Sequence, residues 1–208
     1  DSNRNTLDAL SRELKEIKET REHARRLRMA LKEEIEKGSV SIQTEGMKVI
    51  VHIMENATFD SGYAEVRAEF LPALEKIAGL IDNNSGDITV SGHTDNVPIR
   101  NERFRSNWDL SAGRAVSVAH EILKRADLDP ERVTITGHAD TQPRADNDTP
   151  ENRAKNRRVD VSIVRGKEID QLRSMSIAEA LQMSNQGAPV VNAEDAPPPA
   201  SESEETQP

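Results

Sequence analysis

Residues 91–114 place a carboxylate and a guanidinium where both can bind a ligand. Asp95 follows the apolar run at residues 88–90, and Arg114 lies one turn beyond Leu110 in a helical pattern. A carboxylate just past a strand end can accept an ammonium group, whereas the planar fork of arginine can bind a carboxylate through two hydrogen bonds. Strand ends and helix starts also leave backbone N–H groups free for an anion. The spacing therefore predicts a negative and a positive subsite on one loop, which suits a zwitterion.

Three motifs, separated along the chain, extend this pattern. They are Gly92-His93-Thr94-Asp95, then Asn107-x-x-Leu110-Ser111-x-x-Arg114, and finally Asn156-Arg157-Arg158-Val159. In this order they resemble the peptidoglycan-binding domain shared by OmpA, Pal and the flagellar stator B subunits MotB and PomB. The resemblance covers residues 38–166, and residues 106–111 are most similar to the stator B subunits.

The resemblance implies a site for the diaminopimelate of a peptidoglycan stem peptide. It assigns the amino group of the ligand to Asp95 and the carboxylate to Arg114. The other residues that it places around the ligand are Thr94, Asn107, Leu110 and Arg157. It also implies that the domain binds peptidoglycan without cleaving it, so that the chain is not an enzyme.

Two assignments stay open at the level of the sequence. Strand alternation does not decide whether Arg157 or Arg158 faces the ligand. The loop that follows Asp95 is longer than in the outer-membrane relatives, which leaves open whether its arginines touch glycan or stem peptide. These arginines are Arg100, Arg103 and Arg105.

Each candidate also has a purely structural interpretation. Asp95 can cap backbone N–H groups of its own loop, and Arg114 can form an ordinary ion pair with Asp109 or Asp95. Asn107 and Ser111 can be helix N-caps, an interpretation that we favour for Ser111. The motif spacing favours ligand binding for Asp95 and Arg114.

His93 and His138 occupy equivalent positions in two similar stretches, residues 88–98 and 133–143. His93 with Asp95 suggests a metal pair, but a catalytic zinc ion needs three protein ligands and an open position. The chain has no HExxH motif and no G-x-S-x-G motif for a nucleophilic serine. We therefore predict no metal and no other cofactor.

The resemblance implies a function at the cell wall. It predicts that the chain anchors a flagellar stator unit to peptidoglycan in the periplasm. The implied partners are a second copy of the chain and a stator A subunit of the MotA or PomA type, reached through a transmembrane helix outside this sequence. Two alternatives stay open: a general envelope tether of the OmpA or Pal kind, and a cell-wall hydrolase that uses Asp95 with His93 or His138.

The composition fits one domain with polar extensions. A hydrophobic content of 35% and a mean hydropathy of -0.71 are low for a wholly globular chain of 208 residues. The net charge is -9, and residues 184–208 carry five acidic and no basic side chains, whereas residues 86–166 carry 13 of each. Because no basic surface results, we exclude nucleic acid as a partner.

The elements around the motifs predict an α/β (α+β) two-layer fold of the OmpA type. Apolar residues in heptad spacing predict a helix over residues 6–37, which either pairs with a second copy as a coiled coil or packs one stripe on the domain. Alternating residues predict a β-hairpin over 39–54 and a last strand over 159–163. Between them, two helix–strand units side by side predict a mixed sheet with helices on one face, and Val116 belongs to the apolar stripe of the second helix.

These patterns divide the chain into four segments. We predict a helical linker over residues 1–37 and the binding domain over 38–166. A short amphipathic helix over 167–183 and a disordered acidic, proline-rich tail over 184–208 follow.

Overall fold

The computed structural model describes residues 2–81 and 86–165, with side chains from residue 7 onward. The chain divides into two units, residues 1–169 and 170–208. The predicted helix over 167–183 and the predicted tail over 184–208 lie outside the described residues.

Five strands form one mixed sheet, as the sequence predicts. They are β1 (Val40–Glu45), β2 (Lys48–Met54), β3 (Asp87–His93), β4 (Val133–Gly137) and β5 (Arg158–Val164), in the spatial order β1-β2-β5-β3-β4. Only β3 and β4 pair in parallel, while the other neighbours are antiparallel. Gly46, which has a φ of 56°, allows the tight turn of the predicted hairpin between β1 and β2.

The helices supply the second layer. They are α1 (Ser2–Ala30), α2 (Lys32–Glu36), α3 (Glu55–Thr58), α4 (Leu71–Leu80), α5 (Asn107–Arg125) and α6 (Pro150–Asn156), with 3-10 turns at Ala68–Phe70 and Pro130–Arg132. Alternate residues of the central strand β5, namely Val159, Val161 and Ile163, join apolar residues of α1, α4 and α5 in one buried core. The predicted two-layer architecture is therefore confirmed, although Val116 of α5 is 52% exposed and lies outside the core.

The long N-terminal helix α1 has two different halves. Its last turns are buried through Thr20, His23, Ala24 and Leu27, and His23 Nε2 lies 2.7 Å from the backbone oxygen of Leu80. In the first half, the apolar side chains at positions 7, 10 and 14 are each at least 50% exposed. One half of the helix therefore packs a stripe on the domain, and the other half presents an uncovered apolar stripe.

The two similar stretches of sequence form neighbouring parallel strands in matching register. Ile88 pairs with Val133, and Gly92 pairs with Gly137. A Cβ atom on Gly92 would lie 1.9 Å from the backbone oxygen of Ser111, which shows how closely the start of α5 approaches the end of β3. The glycines thus let the helix that carries Arg114 lie directly on the strand ends.

Candidate functional site

A cavity of about 680 Å³ opens where β2, β3 and α6 end and α5 begins. All six residues that the sequence nominates line it: Thr94, Asp95, Asn107, Leu110, Arg114 and Arg157. Further charged or aromatic side chains in its wall are those of Glu55, Phe59, Asp60, Arg67 and Arg153. The fold therefore brings together three motifs that span more than 60 residues of sequence.

Asp95 is buried at one side of the cavity with both carboxylate oxygens engaged. Oδ1 accepts a hydrogen bond from the backbone N–H of Val97 at 3.0 Å, and Oδ2 accepts one from Nη1 of Arg157 at 2.7 Å. The amide of Asn107 donates to the backbone oxygens of Asp95 and Val97, at 3.3 and 3.0 Å, and so fixes the loop. Thr94 adds a hydrogen bond to the same Asp95 oxygen. Asp95 therefore caps its own loop and also presents a carboxylate to the cavity.

Arg114 is the most unusual side chain of the site because its guanidinium is only 2% exposed. Nε donates to the backbone oxygen of Tyr63 at 2.9 Å, and Nη2 lies 2.6 Å from Oε1 of Glu55. Within residues 2–81 and 86–165, Nη1 has no hydrogen-bond acceptor. The ring of Phe59 lies beneath the guanidinium, with its centroid 5.0 Å from Cζ. Nη2 is thus paired with the Glu55 carboxylate, and Nη1 is a buried donor without an acceptor among the described residues.

Burial lowers the pKa of Arg114, and the neighbouring Glu55 carboxylate opposes this shift. Arginine nevertheless remains charged at physiological pH because its ordinary pKa lies far above that range. For Arg157, burial also lowers the pKa, but hydrogen bonds to Asp95 and Glu55 outweigh it, so that the pKa is raised overall. Both arginines therefore face the cavity as cations.

Glu55 is the member of the site that the sequence analysis missed. It is the first residue after β2, and its carboxylate bridges Arg114 and Arg157, with Oε2 hydrogen-bonded to Nε of Arg157. A carboxylate directly after an alternating strand is the same signal that nominated Asp95. The four side chains form a continuous chain of opposite charges in the order Arg114, Glu55, Arg157, Asp95.

The structure separates the two adjacent arginines at the start of β5. Arg157 lines the cavity, whereas Arg158 is buried and holds Asp160, its Nε lying 3.0 Å from Oδ2. Nη1 of Arg158 also donates to the backbone oxygen of Asn156 at 3.1 Å. Arg157 therefore faces the cavity, and its neighbour binds an acidic residue of its own strand.

The predicted N-cap interpretation of Ser111 and Asn107 is wrong. Helix α5 begins at Asn107 with Ser106 as N-cap, and Ser111 lies in the next turn. Ser111 is fully buried there, and its Oγ donates to the backbone oxygen of Trp108 and accepts from the backbone N–H of Ala139, each at 3.1 Å. Its hydroxyl therefore joins α5 to the segment after β4.

The arginines of the loop after Asp95 lie away from the described part of the cavity wall. Arg105 forms an ion pair of 2.6 Å with Asp109, so the suggested pairing of Arg114 with Asp109 is also wrong. The guanidinium of Arg103 lies 4.1 Å above the ring of Tyr63, beside a separate cavity of about 310 Å³.

Three histidines, His52, His93 and His138, cluster near Asp160 on the sheet. His52 Nδ1 and His93 Nε2 lie 2.7 and 3.5 Å from the carboxylate of Asp160, and the rings of His93 and His138 stack at 5.0 Å. Burial and the charge of Arg158 lower the pKa of His93 to about 4. Among the described residues, no three histidine, cysteine or acidic side chains are arranged to hold a metal ion.

The described helices can be compared with the requirements of a transmembrane span. None of them combines the length and the apolar character that a transmembrane span requires.

Sequence comparison relates this chain to motility proteins. Residues 58–157 match the OmpA family. The motility protein B of Bacillus subtilis is 40% identical over 122 residues, which cover 58% of this chain and 46% of that protein. Motility protein B of Helicobacter pylori strain J99 is 34% identical over 131 residues, or 62% of this chain and 47% of that protein. The chain thus spans about half the length of these relatives.

Three solved structures share the fold. The cell wall anchor of the T6SS from Pseudomonas aeruginosa is 37% identical with a TM-score of 0.61, covering 67% of this chain and 96% of that chain. A putative MotB-like protein from Desulfovibrio vulgaris is 26% identical with a TM-score of 0.68, covering 74% and 99%. The periplasmic domain of Helicobacter pylori MotB (residues 90-256 of that protein) is 25% identical with a TM-score of 0.57, covering 67% and 88%. From the family match and these relatives, we conclude that the chain contains an OmpA-like domain, which is similar to the periplasmic domains of MotB proteins.

Proposed function

We propose that this domain binds peptidoglycan through the diaminopimelate of a stem peptide, without cleaving it, and thereby anchors a flagellar motor stator unit to the cell wall. The observation that carries the proposal is the buried guanidinium of Arg114 in the cavity wall, whose Nη1 lacks an acceptor among the described residues while Nη2 is paired with Glu55. A buried charged donor is costly unless a partner satisfies it. A ligand carboxylate supplies that partner.

Asp95 provides the second half of the recognition. Its carboxylate lines the same cavity as Arg114 and accepts the ligand's ammonium group beside Arg157. Thr94, Asn107 and Leu110 complete the wall, so a small zwitterion contacts charged and apolar surface together. A charge-assisted hydrogen bond contributes about 1.5–3 kcal/mol. Two such subsites give an affinity of roughly micromolar to millimolar for one domain.

An anchor under load requires more than one weak contact. The exposed stripe of Leu7, Leu10 and Leu14 on α1 supports a homodimer in which the N-terminal helices pair. Two linked domains on a polymeric wall bind about 10²–10⁴ times more tightly than one. In this proposal a transmembrane helix outside the present sequence joins the dimer to a stator A subunit, and the domain lies in the periplasm.

A general envelope tether is a second candidate function. The relative described as the cell wall anchor of the T6SS supports it, because this chain covers 96% of that structure at 37% identity. Both candidates use the same cavity and differ only in what the anchor holds. Crosslinking in cells distinguishes them: capture of a stator A subunit supports the motor role, and capture of another envelope assembly supports the tether.

Co-sedimentation with purified peptidoglycan sacculi tests the proposed binding. We expect the chain to pellet, and Asp95→Asn and Arg114→Lys each to weaken binding by about 10-fold or more, because each loses a charge-assisted or bidentate contact. Arg105→Ala and Asp109→Asn are matched controls, since they remove one positive and one negative charge outside the cavity.

The outcomes separate clearly. The site is supported if the controls bind like the unaltered chain and the site variants stay in the supernatant. Circular dichroism must show that these site variants are folded. Equal binding by all five proteins refutes the assignment of Asp95 and Arg114. Release of soluble muropeptides from the sacculi refutes the non-catalytic role.

A further inference from the structure

Glu55 occupies the position where a ligand carboxylate and the protein compete for the same cations. Its Oε1 lies 2.6 Å from Nη2 of Arg114, and its Oε2 is hydrogen-bonded to Nε of Arg157. The Glu55 side chain is only 13% exposed. The protein therefore already supplies one carboxylate to the pair of arginines that faces the cavity.

The side chain of Glu55 is not needed to hold its own backbone. Its N–H donates to the backbone oxygen of Arg157 at 3.1 Å, and its carbonyl accepts from the N–H of Phe59 at 2.8 Å. These bonds fix the start of α3 between β2 and β5. The backbone geometry therefore does not depend on the Glu55 carboxylate, whose negative charge is presented to the two arginines of the cavity.

The charges at the base of the cavity balance. Arg114 and Arg157 contribute two positive charges, and Glu55 and Asp95 contribute two negative charges. At the rim, Arg67 lies 3.7 Å from Asp60, and Arg153 donates to the backbone oxygen of Asn147 at 3.0 Å. A ligand that brings only a carboxylate to Arg114 meets the like charge of Glu55 nearby, whereas a zwitterion brings an ammonium group that offsets this repulsion.

We propose that Glu55 is a specificity-determining residue, which makes the cavity select a zwitterionic ligand over a purely anionic one of the same shape. This inference rests on the proposed binding of diaminopimelate. Asp95 attracts the ammonium group, and Glu55 disfavours any ligand that lacks it. Discrimination therefore combines an attractive and a repulsive element.

Calorimetric titration with two synthetic tripeptides tests this role. One is N-acetyl-L-Ala-γ-D-Glu-diaminopimelate, and the other is the same N-acetylated peptide with 2-aminopimelate, which keeps the distal carboxylate but lacks the distal amino group. We expect the unaltered chain to prefer the first peptide. In Glu55→Gln the preference falls by about tenfold, chiefly because the amine-free peptide binds more tightly to arginines that have lost an anionic neighbour.

Two variants serve as comparisons. Glu65→Gln removes an exposed carboxylate outside the cavity wall and should leave the preference unchanged. Asp95→Asn should also reduce the preference, but through the other ligand, because it weakens binding of the diaminopimelate peptide. If Glu55→Gln does not fold, Glu55→Asp replaces it. This change withdraws the carboxylate by one methylene and should also lower the preference for the diaminopimelate peptide.

The result distinguishes the inference from the proposal on which it rests. If the unaltered chain binds neither peptide, both are overturned. If it binds diaminopimelate and Glu55→Gln weakens both peptides equally or leaves their ratio unchanged, only the role of Glu55 is overturned. A shift in the ratio caused by tighter binding of the amine-free peptide supports it.

Discussion

At the scale of single residues, charged side chains inside this domain are tolerated only as connected groups. Arg114 is buried against Glu55, and Asp160 is buried between Arg158 and His52. An isolated buried charge costs several kcal/mol, and removing one member of a pair leaves the other uncompensated. Isosteric changes such as Glu55→Gln therefore test function better than truncation to alanine does.

The neutral state of His93 makes the stability of the domain depend on pH. The pKa of His93 is lowered to about 4 by burial and by Arg158, whereas the unfolded chain has the ordinary value of 6.5. Above pH 6.5, His93 leaves the free energy of unfolding at its full value. This free energy falls as the pH drops from 6.5 towards 4, because in that window His93 gains a proton in the unfolded state but not in the folded state. The loss is about 1.4 kcal/mol per pH unit in this window.

Urea unfolding at several values between pH 7.5 and pH 4.5 measures this slope. Other groups that face His93 are His52 from β2, His138 after β4 and Asp160 from β5. Although burial opposes the shift, His52 and Arg158 lower the pKa of Asp160, so it contributes only at more acidic pH. Replacing His93 by glutamine should flatten the curve, and an unchanged slope in that variant would rule out His93 as its source.

At the scale of elements, the contact between β3 and α5 positions the site. Gly92 admits the backbone of Ser111, and Ser111 in turn holds the segment after β4 through the N–H of Ala139. Arg114 lies one turn further along the same helix. The close approach of strand and helix thus sets the distance between Asp95 and Arg114.

Gly92→Ala should therefore destabilise the domain by about 3 kcal/mol, because the new Cβ would lie 1.9 Å from the backbone oxygen of Ser111. Gly79→Ala is the matched control. Apart from the backbone of α4 itself, no described atom lies within 4 Å of a Cβ built at Gly79, so this change should be neutral or stabilising by up to about 1 kcal/mol. Thermal or urea unfolding compares them, and equal stabilities would contradict the role assigned to this contact.

Much of this arrangement can be predicted from local sequence, and the exceptions share one cause. The similar stretches of residues 88–98 and 133–143 predict two equivalent strands because alternation and glycine positions are local signals. Glu55 was missed because its partner Arg157 is 102 residues away and meets it only through the pairing of β2 with β5. Ser111 was misassigned because its partner, the N–H of Ala139, also belongs to a distant segment.

At the scale of the whole molecule, the two halves of α1 differ in burial. The heptad pattern leaves open whether the helix pairs or packs, and the described structure assigns packing to residues 20–31. Amphipathic spacing is the same for both purposes, so periodicity alone cannot separate them. The stripe of Leu7, Leu10 and Leu14 is exposed, and our proposal assigns it to pairing with a second copy.

Sedimentation equilibrium tests pairing through this stripe. Replacing Leu7, Leu10 and Leu14 together by serine should lower the dimer fraction and weaken binding to sacculi by about 10²-fold or more, because avidity is lost. Replacing three exposed charged residues of the same helix, Arg12, Lys15 and Lys18, by serine is the control for composition. A leucine variant that remains dimeric would show that pairing does not use this stripe.

The clamped half of α1 also gives the molecule a mechanical property. A rod held at one end is a cantilever, and here the clamp consists of Thr20, His23, Ala24, Leu27 and Leu31, all buried against the domain. The turns before Glu13, whose side chains are exposed from Leu7 onward, continue as about 17 Å of unbroken helix. Tension on the N-terminus therefore reaches the core without first straightening a slack coil, and sideways force arrives as a bending moment.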